Sequence, residues 1–303
     1  MSKNILEIKN FSKQFRSHWT FSKIPAVNNI SLEIKEGEIF GFLGHNGAGK
    51  STTIKSIVGL HKATSGQILF DGKPVAESKK YMGYLPEHPY FYDHLTVKET
   101  LSFFAQLLEI ENKNKVEEVI EELGLAERKN QKVKELSKGW QQRLGFAQAI
   151  LNDPKLLILD EPFSGLDPVA RKQIRDIIYD RNKKGTTVFM TSHILSDVNE
   201  ICGRVIIMNK GNIVKEVNLK KWNKTSAKSY ELTITKEEAE KIKADINFNS
   251  NSNTSLEGKF SFDTYEDSNK ALEFCIKNNI EIISFEKKVP SLEEVFIEIS
   301  SSK

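Results

Sequence analysis

Residues 44–51 read GHNGAGKS and fit the pattern G-x-x-x-x-G-K-[ST], with the apolar run EIFGFL (38–43) before them and STTIKSIVGL (51–60) after them. These flanks predict a strand, a tight loop and a helix, in that order. Glycines let such a loop curl so that successive N–H groups point inward, and the helix N-terminus adds partial positive charge. We therefore predict that the loop binds a chain of phosphates; the alternative is an ordinary glycine turn before a helix.

The loop offers both backbone and side-chain contacts to a nucleotide. Lys50 would contact the β- and γ-phosphates, and the Ser51 hydroxyl would ligate Mg²⁺. The candidate nucleotide-binding residues of this segment are Gly44, Asn46, Gly47, Ala48, Gly49, Lys50, Ser51 and Thr52.

A second candidate segment lies downstream, where residues 156–161 read LLILDE, an apolar strand that ends in two carboxylates. Asp160 can hold Mg²⁺ through water, and Glu161 can polarise an attacking water molecule. Together with the glycine-rich loop, this Walker B pattern predicts a nucleoside triphosphate site. The alternative is a polar turn that closes a core strand.

Short β-rich runs alternate with amphipathic helical segments from the start of the chain to about residue 217, which is typical of an α/β fold with a largely parallel sheet. The predicted strands are ILEI (5–8), EIFGFL (38–43), LLILD (156–160), TVFMTS (187–192) and RVIIMN (204–209). Helical spacing dominates between Leu95 and Leu151 and predicts an all-helical insertion there.

The composition shifts to Lys, Glu, Asn and Ser after Val217, and residues 247–255 (NFNSNSNTS) form a polar tract typical of a surface loop. Around this tract we predict strands at 229–234, 259–263 and 280–286, and helices from about 236, at 268–277 and after 290. The chain is therefore predicted to contain a first domain over 1–217 and a small α+β domain over 218–303.

Composition excludes several classes of protein. The 303 residues are 39% hydrophobic and 28% charged, which is enough for packed cores and too apolar for wholesale disorder. No apolar run approaches the roughly 18 residues of a membrane span, and no signal-peptide segment opens the chain. Cys202 and Cys275 lie far apart, which argues against a disulfide framework or a zinc site. A net charge of +3 lacks the bias of a dedicated nucleic-acid binder, so no nucleic-acid partner is expected.

Residues 136–143, LSKGWQQR, lie just before a predicted helix and shortly ahead of the LLILDE strand. They resemble the LSGGQ signature of the ATP-binding cassette of ABC transporters, and the likeness covers residues 5 to about 217. It implies a P-loop NTPase cassette with a RecA-like parallel sheet core, an antiparallel β subdomain and a helical subdomain over about 90–152. It also implies that Ser137 and Gly139 contact a γ-phosphate held by an opposite cassette. Lys138 and Trp140 depart from the usual glycine and glutamine; Lys138 suits either a phosphate or solvent.

Two further motifs follow in the order of the family. SGLD (164–167) resembles the D-loop, which implies that Asp167 lies at a dimer interface that encloses nucleotide. TSH (191–193) resembles the switch-histidine segment, which implies that His193 hydrogen-bonds the γ-phosphate and holds Glu161 and water in line.

Two positions upstream complete the implied site. Glu87 stands where the Q-loop usually has glutamine, which implies a metal or water contact. Phe15 aligns with the aromatic residue that stacks on adenine, and its alternative is packing within a strand. The basic and aromatic segment 13–23, which contains Trp19 and Phe21, could instead contact RNA or anionic lipid.

The resemblance implies an ATPase that uses ATP and Mg²⁺, pairs with a second cassette (a copy of itself or a paralogue) and powers a separate integral membrane permease. It would lie at the cytoplasmic face of the inner membrane, attached through that permease. PSLEEVF (290–296) resembles the closing helix of ATP-binding subunits of bacterial exporters of drugs, bacteriocins and polysaccharides, and this resemblance favours export. The alternative is that the segment is a generic amphipathic helix. The other hypotheses are an uptake transporter, a soluble ABC protein acting on ribosomes or DNA, and a regulatory nucleotide sensor.

Overall fold

The computed structural model describes residues 3–16, 22–219, 221–222, 229–235 and 258–288. The chain divides into two compact units, Met1–Asn218 and Leu219–Lys303. Several predictions lie outside the described residues: Trp19 and Phe21 of the aromatic segment, the helix from about 236, the polar loop 247–255 and the helix after Pro290.

The first unit contains strands and helices in alternation. Its strands are β1 (Asn4–Arg16), β2 (Lys23–Lys35), β3 (Ile39–Leu43), β4 (Ser65–Phe70), β5 (Lys73–Pro74), β6 (Met82–Leu85), β7 (Leu156–Leu159), β8 (Thr187–Ser192), β9 (Arg204–Asn209) and β10 (Asn212–Asn218). Its helices are α1 (Lys50–Ile57), α2 (Val97–Leu107), α3 (Lys115–Glu122), α4 (Lys138–Ile150), α5 (Pro168–Lys183) and α6 (Leu195–Ile201).

A six-stranded sheet in the order β10-β9-β3-β8-β7-β6 forms the centre of this unit. Its strands are parallel except β10, which pairs antiparallel with β9. Every residue of β3, β7 and β8 is buried, as expected for central strands that are covered on both faces. The predicted parallel core is confirmed, and the carboxyl ends of β3, β8 and β7 meet at one edge.

A four-stranded antiparallel sheet, in the order β2-β1-β4-β5, lies beside the central sheet. Side chains from both sheets share one hydrophobic core, which includes Phe11 and Ile30 from the antiparallel sheet and Phe42 and Phe189 from the parallel one. This shared core fixes the antiparallel sheet next to the loop that follows β3.

The predicted helical insertion consists of α2, α3 and α4. The start of α2 is a capping box, because the Thr96 hydroxyl accepts from the Glu99 N–H at 3.2 Å and the Glu99 carboxylate accepts from the Thr96 N–H at 2.8 Å. The close approach of α4 to β6 requires Gly83, where a Cβ would lie 1.9 Å from the Ala149 carbonyl oxygen. The insertion is therefore fastened to the edge of the parallel sheet.

In the second unit, β11 (Ser229–Ile234), β12 (Lys259–Phe262) and β13 (Ile282–Lys288) form an antiparallel sheet in the order β12-β11-β13, with α7 (Tyr265–Lys277) beside it. The predicted start of this helix, at residue 268, was three residues late because the Thr264 hydroxyl caps it by accepting from the Asp267 N–H at 3.1 Å. The last strand begins two residues later than predicted, since Ile280 still donates to the Cys275 carbonyl at the helix end.

None of the helices in the described ranges is long and apolar enough to cross a bilayer.

Candidate nucleotide site

The glycine-rich loop, the two Walker B carboxylates and His193 converge at the carboxyl edge of the central sheet. The glycine-rich loop follows β3, Asp160 and Glu161 follow β7, and His193 follows β8. Because β8 lies between β3 and β7, these three segments are neighbours in space. The carboxyl edge of a parallel sheet is the usual place for a ligand in α/β folds.

A cavity of about 320 Å³ opens at this edge. Most of the predicted nucleotide-binding and catalytic residues line it, together with two that were not predicted, Ala26 and His45. The full lining is Ala26, His45, Asn46, Gly47, Ala48, Gly49, Lys50, Ser51, Thr52, Glu87, Glu161 and His193. Ten of the twelve lining residues are therefore ones that the sequence had singled out.

Gly49 is required by the shape of the loop. Its φ of +106° lies in the left-handed region, and a Cβ there would come within 2.6 Å of the Ala26 carbonyl oxygen. Strand β2 thus presses against the outside of the loop, which explains why Ala26 reaches the cavity.

Lys50 is buried at the bottom of the cavity, and its ammonium is shared among three oxygens. Lys50 Nζ donates to the Gly44 carbonyl at 2.6 Å and to the His45 carbonyl at 3.5 Å, and it lies 3.3 Å from Glu161 Oε1. The loop therefore holds a desolvated positive charge at the position where a phosphate chain would enter.

Glu161 connects Lys50 to His193. Its Oε2 accepts from the His193 backbone N–H at 3.2 Å and lies 2.8 Å from Nδ1 of the same residue. Glu161 is 6% exposed and has a φ of +50°, an uncommon backbone conformation for a residue with a side chain. The carboxylate is thus held between a lysine and a histidine inside the cavity.

Asp160 faces the helix that follows the loop. Its Oδ1 accepts from the Thr191 hydroxyl at 2.7 Å and from the Ser51 hydroxyl at 3.4 Å. Burial raises the pKa of Asp160 above its ordinary value; the charges of Glu161 and Glu87 act in the same direction, and the two hydroxyl groups act against it. Carboxylate and hydroxyl oxygens are the donors that Mg²⁺ prefers, so this set fits the metal.

Comparison with known proteins identifies the family. A family model described as ABC transporter matches residues 27–164, and one described as ATP-binding protein DrrA1-3-like, C-terminal domain, matches residues 223–300. The ABC transporter ATP-binding protein sll0415 of Synechocystis sp. is 36% identical over 303 residues, covering 97% of this chain and 84% of that protein. The chain belongs to the ABC transporter ATP-binding family.

Two further similarities agree with this assignment. The bacitracin transport ATP-binding protein BcrA of Bacillus licheniformis is 42% identical over 207 residues, which cover 66% of this cassette protein and 68% of BcrA. The structure of cbiO1 from Clostridium perfringens matches with a TM-score of 0.64 and 27% identity, over 80% of this chain and 96% of that one. The predicted P-loop cassette is confirmed, and this ABC protein is an ATPase.

Phe15 lies outside the cavity of the ABC cassette. It is 36% exposed on β1, where its ring meets the edge of His61 at 5.3 Å between centroids and lies 5.0 Å from Lys13 Nζ. Its antiparallel pairing with Ile24 nevertheless places it on the strands that lead to Ala26. Adenine stacking on Phe15 stays a prediction.

The signature segment and the D-loop of this ABC cassette also lie outside its own cavity. Ser137 is exposed at the N-cap of α4 and makes no side-chain capping bond, whereas Asp167 Oδ1 caps α5 by accepting from Val169 and Ala170, each at 2.9 Å. Gly139 lies near α5, 3.8 Å from the Ala170 Cβ when a Cβ is placed on it. One chain alone therefore does not bring these residues to its phosphate loop.

The two departures from the family signature have structural explanations. The Lys138 side chain lies over Gly165 of the D-loop, and its terminal atoms occupy the space that a Cβ at position 165 would take. The Trp140 ring contacts two guanidinium groups, with its centroid 4.5 Å from that of Arg128 and 4.8 Å from that of Arg143. Position 140 thus contributes to packing within the helical insertion.

His45 holds the phosphate loop against the end of β9. Its Nδ1 lies 2.7 Å from the Asn46 carbonyl oxygen and its Nε2 lies 2.8 Å from Asn209 Oδ1. The carbonyl and the N–H of one peptide unit point in opposite directions. The bond to the Asn46 carbonyl therefore turns the Gly47 N–H away from His45, which helps to fix the loop. Sequence reasoning missed His45 because its partner Asn209 is far away in the chain.

Proposed function

We propose that two such cassettes close head-to-tail around two ATP molecules and that ATP turnover in this dimer drives a separate membrane permease. The observation that carries the proposal is the position of the signature helix: Ser137 is exposed and uncapped, and neither it nor Gly139 lines the cavity that holds Lys50 and Glu161. A helix N-terminus whose N-cap side chain makes no capping bond suits a phosphate held by another chain.

Residues in and beside the cavity have distinct roles in this proposal. Backbone N–H groups of the loop and the Lys50 ammonium bind the phosphates, and Ser51, Asp160 and Glu87 supply oxygen ligands for Mg²⁺, which neutralises phosphate charge when bound. As Lys50 turns from Glu161 to phosphate, the Glu161 carboxylate becomes free to accept a proton from water. His193 holds that carboxylate in place through its backbone N–H and ring.

A mixing experiment tests the head-to-tail arrangement. Lys50→Ala destroys the phosphate loop, and Gly139→Asp places a carboxylate at the signature helix, where the neighbouring atoms leave room for a Cβ. Each variant alone should be inactive, but half of the mixed dimers contain both chains and one of their two sites is intact. We expect the equimolar mixture to recover about a quarter of the wild-type rate of phosphate release.

The control for this experiment mixes two variants whose changes lie in the same nucleotide cavity. Lys50→Ala with Glu161→Gln leaves every composite site damaged, so this mixture should stay inactive. If the purified wild type hydrolyses ATP while the Lys50→Ala and Gly139→Asp mixture does not recover, the head-to-tail dimer is contradicted.

Three similarities support a permease partner and export. The cbiO1 structure is described as part of the ABC transporter complex cbiONQ, and BcrA is named for bacitracin transport. The DrrA1-3-like model covers residues 223–300, the same segment whose end resembles exporter subunits. We propose that this chain acts on the cytoplasmic side of such a complex.

An exposed apolar patch on the helical insertion supports the position of the permease contact. Tyr90 is 96% exposed, and Tyr92, Phe103, Leu107 and Leu108 also expose large apolar surfaces. We define these five residues as the insertion patch. Tyr90 and Tyr92 follow Glu87 closely in the chain, and Glu87 lines the nucleotide cavity, so a partner bound at this end of the patch lies close to that cavity.

Affinity purification from detergent-solubilised membranes tests this contact. We expect the wild type to retain an integral membrane subunit, and Tyr90→Asp to lose about tenfold or more of it because a charge is placed against an apolar partner. Leu60→Asp, a change at an exposed leucine outside the insertion patch, is the matched control. Equal recovery with both variants would contradict the proposed contact, and a co-purified extracytoplasmic binding protein would indicate uptake.

A further inference from the structure

One buried hydroxyl serves both acidic residues of the Walker B segment. Thr191 is fully buried in β8, where Met190 pairs with Leu159 of β7, so the next residues of the two strands are Thr191 and Asp160. The Thr191 hydroxyl donates to Asp160 Oδ1 at 2.7 Å and accepts from the Glu161 N–H at 3.0 Å. Both bonds have good length, and together they use the hydroxyl as donor and as acceptor.

The bond to the Glu161 N–H acts on an unusual backbone. Glu161 has a φ of +50°, and with this backbone its carboxylate lies 3.3 Å from Lys50 Nζ and 2.8 Å from His193 Nδ1. Residues other than glycine keep a left-handed backbone conformation only where surrounding contacts hold it, and such residues concentrate at functional sites. The Thr191 hydroxyl is the contact that holds the peptide between Asp160 and Glu161 on its N–H side.

We propose that Thr191 is a positioning residue for ATP hydrolysis: its hydroxyl orients the Asp160 carboxylate and the Glu161 backbone, and thereby places the Glu161 carboxylate beside the attacking water. The inference rests on the roles proposed above for Asp160 and Glu161. A displacement of about 1 Å in a reacting group can lower a rate about a hundredfold, so the loss of one such bond affects turnover more than binding.

The test compares Thr191→Val, which keeps the shape but has no hydroxyl, with Thr191→Ser, which keeps the hydroxyl. We expect Thr191→Val to lower kcat about tenfold to a hundredfold, while the Kd for ATP measured without Mg²⁺ stays within about twofold of the wild type. Thr191→Ser should restore kcat to within about threefold of the wild type, because serine makes both bonds.

Thr187→Val is the matched control. Thr187 is a fully buried threonine on the same strand whose hydroxyl accepts from the Gly37 N–H at 2.9 Å, at the opposite end of β8. Its replacement removes one buried hydroxyl and should lower the unfolding temperature without changing kcat. If Thr191→Val does not fold, Thr191→Ala takes its place with the same expectations.

Three outcomes would overturn the inference. They are a folded variant without the hydroxyl that keeps the wild-type kcat, a Thr191→Ser enzyme as slow as Thr191→Val, and a Thr187→Val enzyme that is equally slow. The Glu161→Gln variant distinguishes failure of the positioning role of Thr191 from failure of the proposed function. If Glu161→Gln is inactive and Thr191→Val is not, only the positioning role is wrong; if Glu161→Gln is fully active, the assignment of the base is wrong.

Discussion

We expect Glu161→Gln to lower kcat for ATP hydrolysis by about 10²- to 10⁴-fold, the range typical of the loss of a general base. Glutamine keeps the shape of the side chain, and its amide oxygen can still accept from the His193 N–H, which lies 3.2 Å from Glu161 Oε2. The amide cannot accept a proton from water, however. Phosphate release by the purified protein at saturating ATP measures this effect.

The same variant should bind ATP at least as tightly as the wild type. Glu161 Oε1 lies 3.3 Å from Lys50 Nζ inside a largely buried site, so the carboxylate competes with phosphate for the lysine. Removing the negative charge ends that competition and reduces repulsion of the triphosphate. We therefore expect Glu161→Gln to accumulate ATP-bound dimers, visible by light scattering and by ATP retained on a filter.

Glu121→Gln is the control for this prediction, because it makes the same chemical change at an exposed position of α3. It should leave both turnover and ATP affinity unchanged. Steady-state hydrolysis by Glu161→Gln at the wild-type rate would contradict the assignment of Glu161 as the base.

The parts of the site that the sequence predicted are those in which one short segment contains both the structural signal and the chemical group. GHNGAGKS supplies its own glycines, its lysine and its helix start, and LLILDE supplies both an apolar strand and its acidic end. Their convergence was also predictable, because the carboxyl ends of parallel strands meet at one edge of a sheet.

The residues that were missed act through strand register or through long-range contacts. Thr191 reaches Asp160 only because β8 pairs with β7 in the observed register, and Ala26 reaches the loop only because β2 lies beside Gly49. A single sequence does not contain the register of strands that are far apart in the chain. The late start predicted for α7 was avoidable, since the threonine at 264 and the aspartate at 267 have the spacing of a helix cap.

A second large effect is expected on stability, at a buried arginine that joins the helical insertion to α5. Arg181 is 5% exposed; its Nη1 donates to Asp153 Oδ1 at 3.1 Å and its Nη2 to the Glu122 carboxylate. Lys115 also pairs with Asp153, and Lys184 lies 2.8 Å from Glu122. Because Glu122 ends α3 and Asp153 follows α4, these ion pairs link three helices.

We expect Arg181→Met to lower the free energy of unfolding by about 3 kcal/mol at pH 7, near the low end for removal of one partner from a buried ion pair. The low end applies because the Asp153 side chain is 62% exposed and water can replace part of what is lost. Arg181→Lys keeps the positive charge but lacks the forked guanidinium that bonds two carboxylates at once, so its loss of unfolding free energy should be intermediate. Urea unfolding of the three proteins measures these differences.

The pH dependence of the Arg181→Met effect gives a further check on its cause. Burial alone would raise the pKa of Asp153, but Lys115 and Arg181 outweigh it and hold that pKa below its ordinary value. A carboxyl group with a lowered pKa stabilises the fold above the unfolded value of about 3.9, and this stabilisation is lost as the pH falls through the folded value. The difference in stability between wild type and Arg181→Met should therefore narrow below about pH 4.

Lys183→Met distinguishes the buried network from a general effect of removing charge from α5. Lys183 is the neighbouring residue, its side chain is 76% exposed, and its pair with Asp180 spans 3.4 Å at the surface. Its replacement should change the free energy of unfolding by no more than about 0.5 kcal/mol. If Arg181→Met loses no more stability than Lys183→Met, the ion pairs of Arg181 with Glu122 and Asp153 do not stabilise the contact between the helical insertion and α5. The orientation of the signature helix α4 would then depend on its other contacts, such as the bonds from Gln142 Nε2 to the Pro162 carbonyl at 3.1 Å and from Arg143 Nη1 to the Leu123 carbonyl at 2.9 Å.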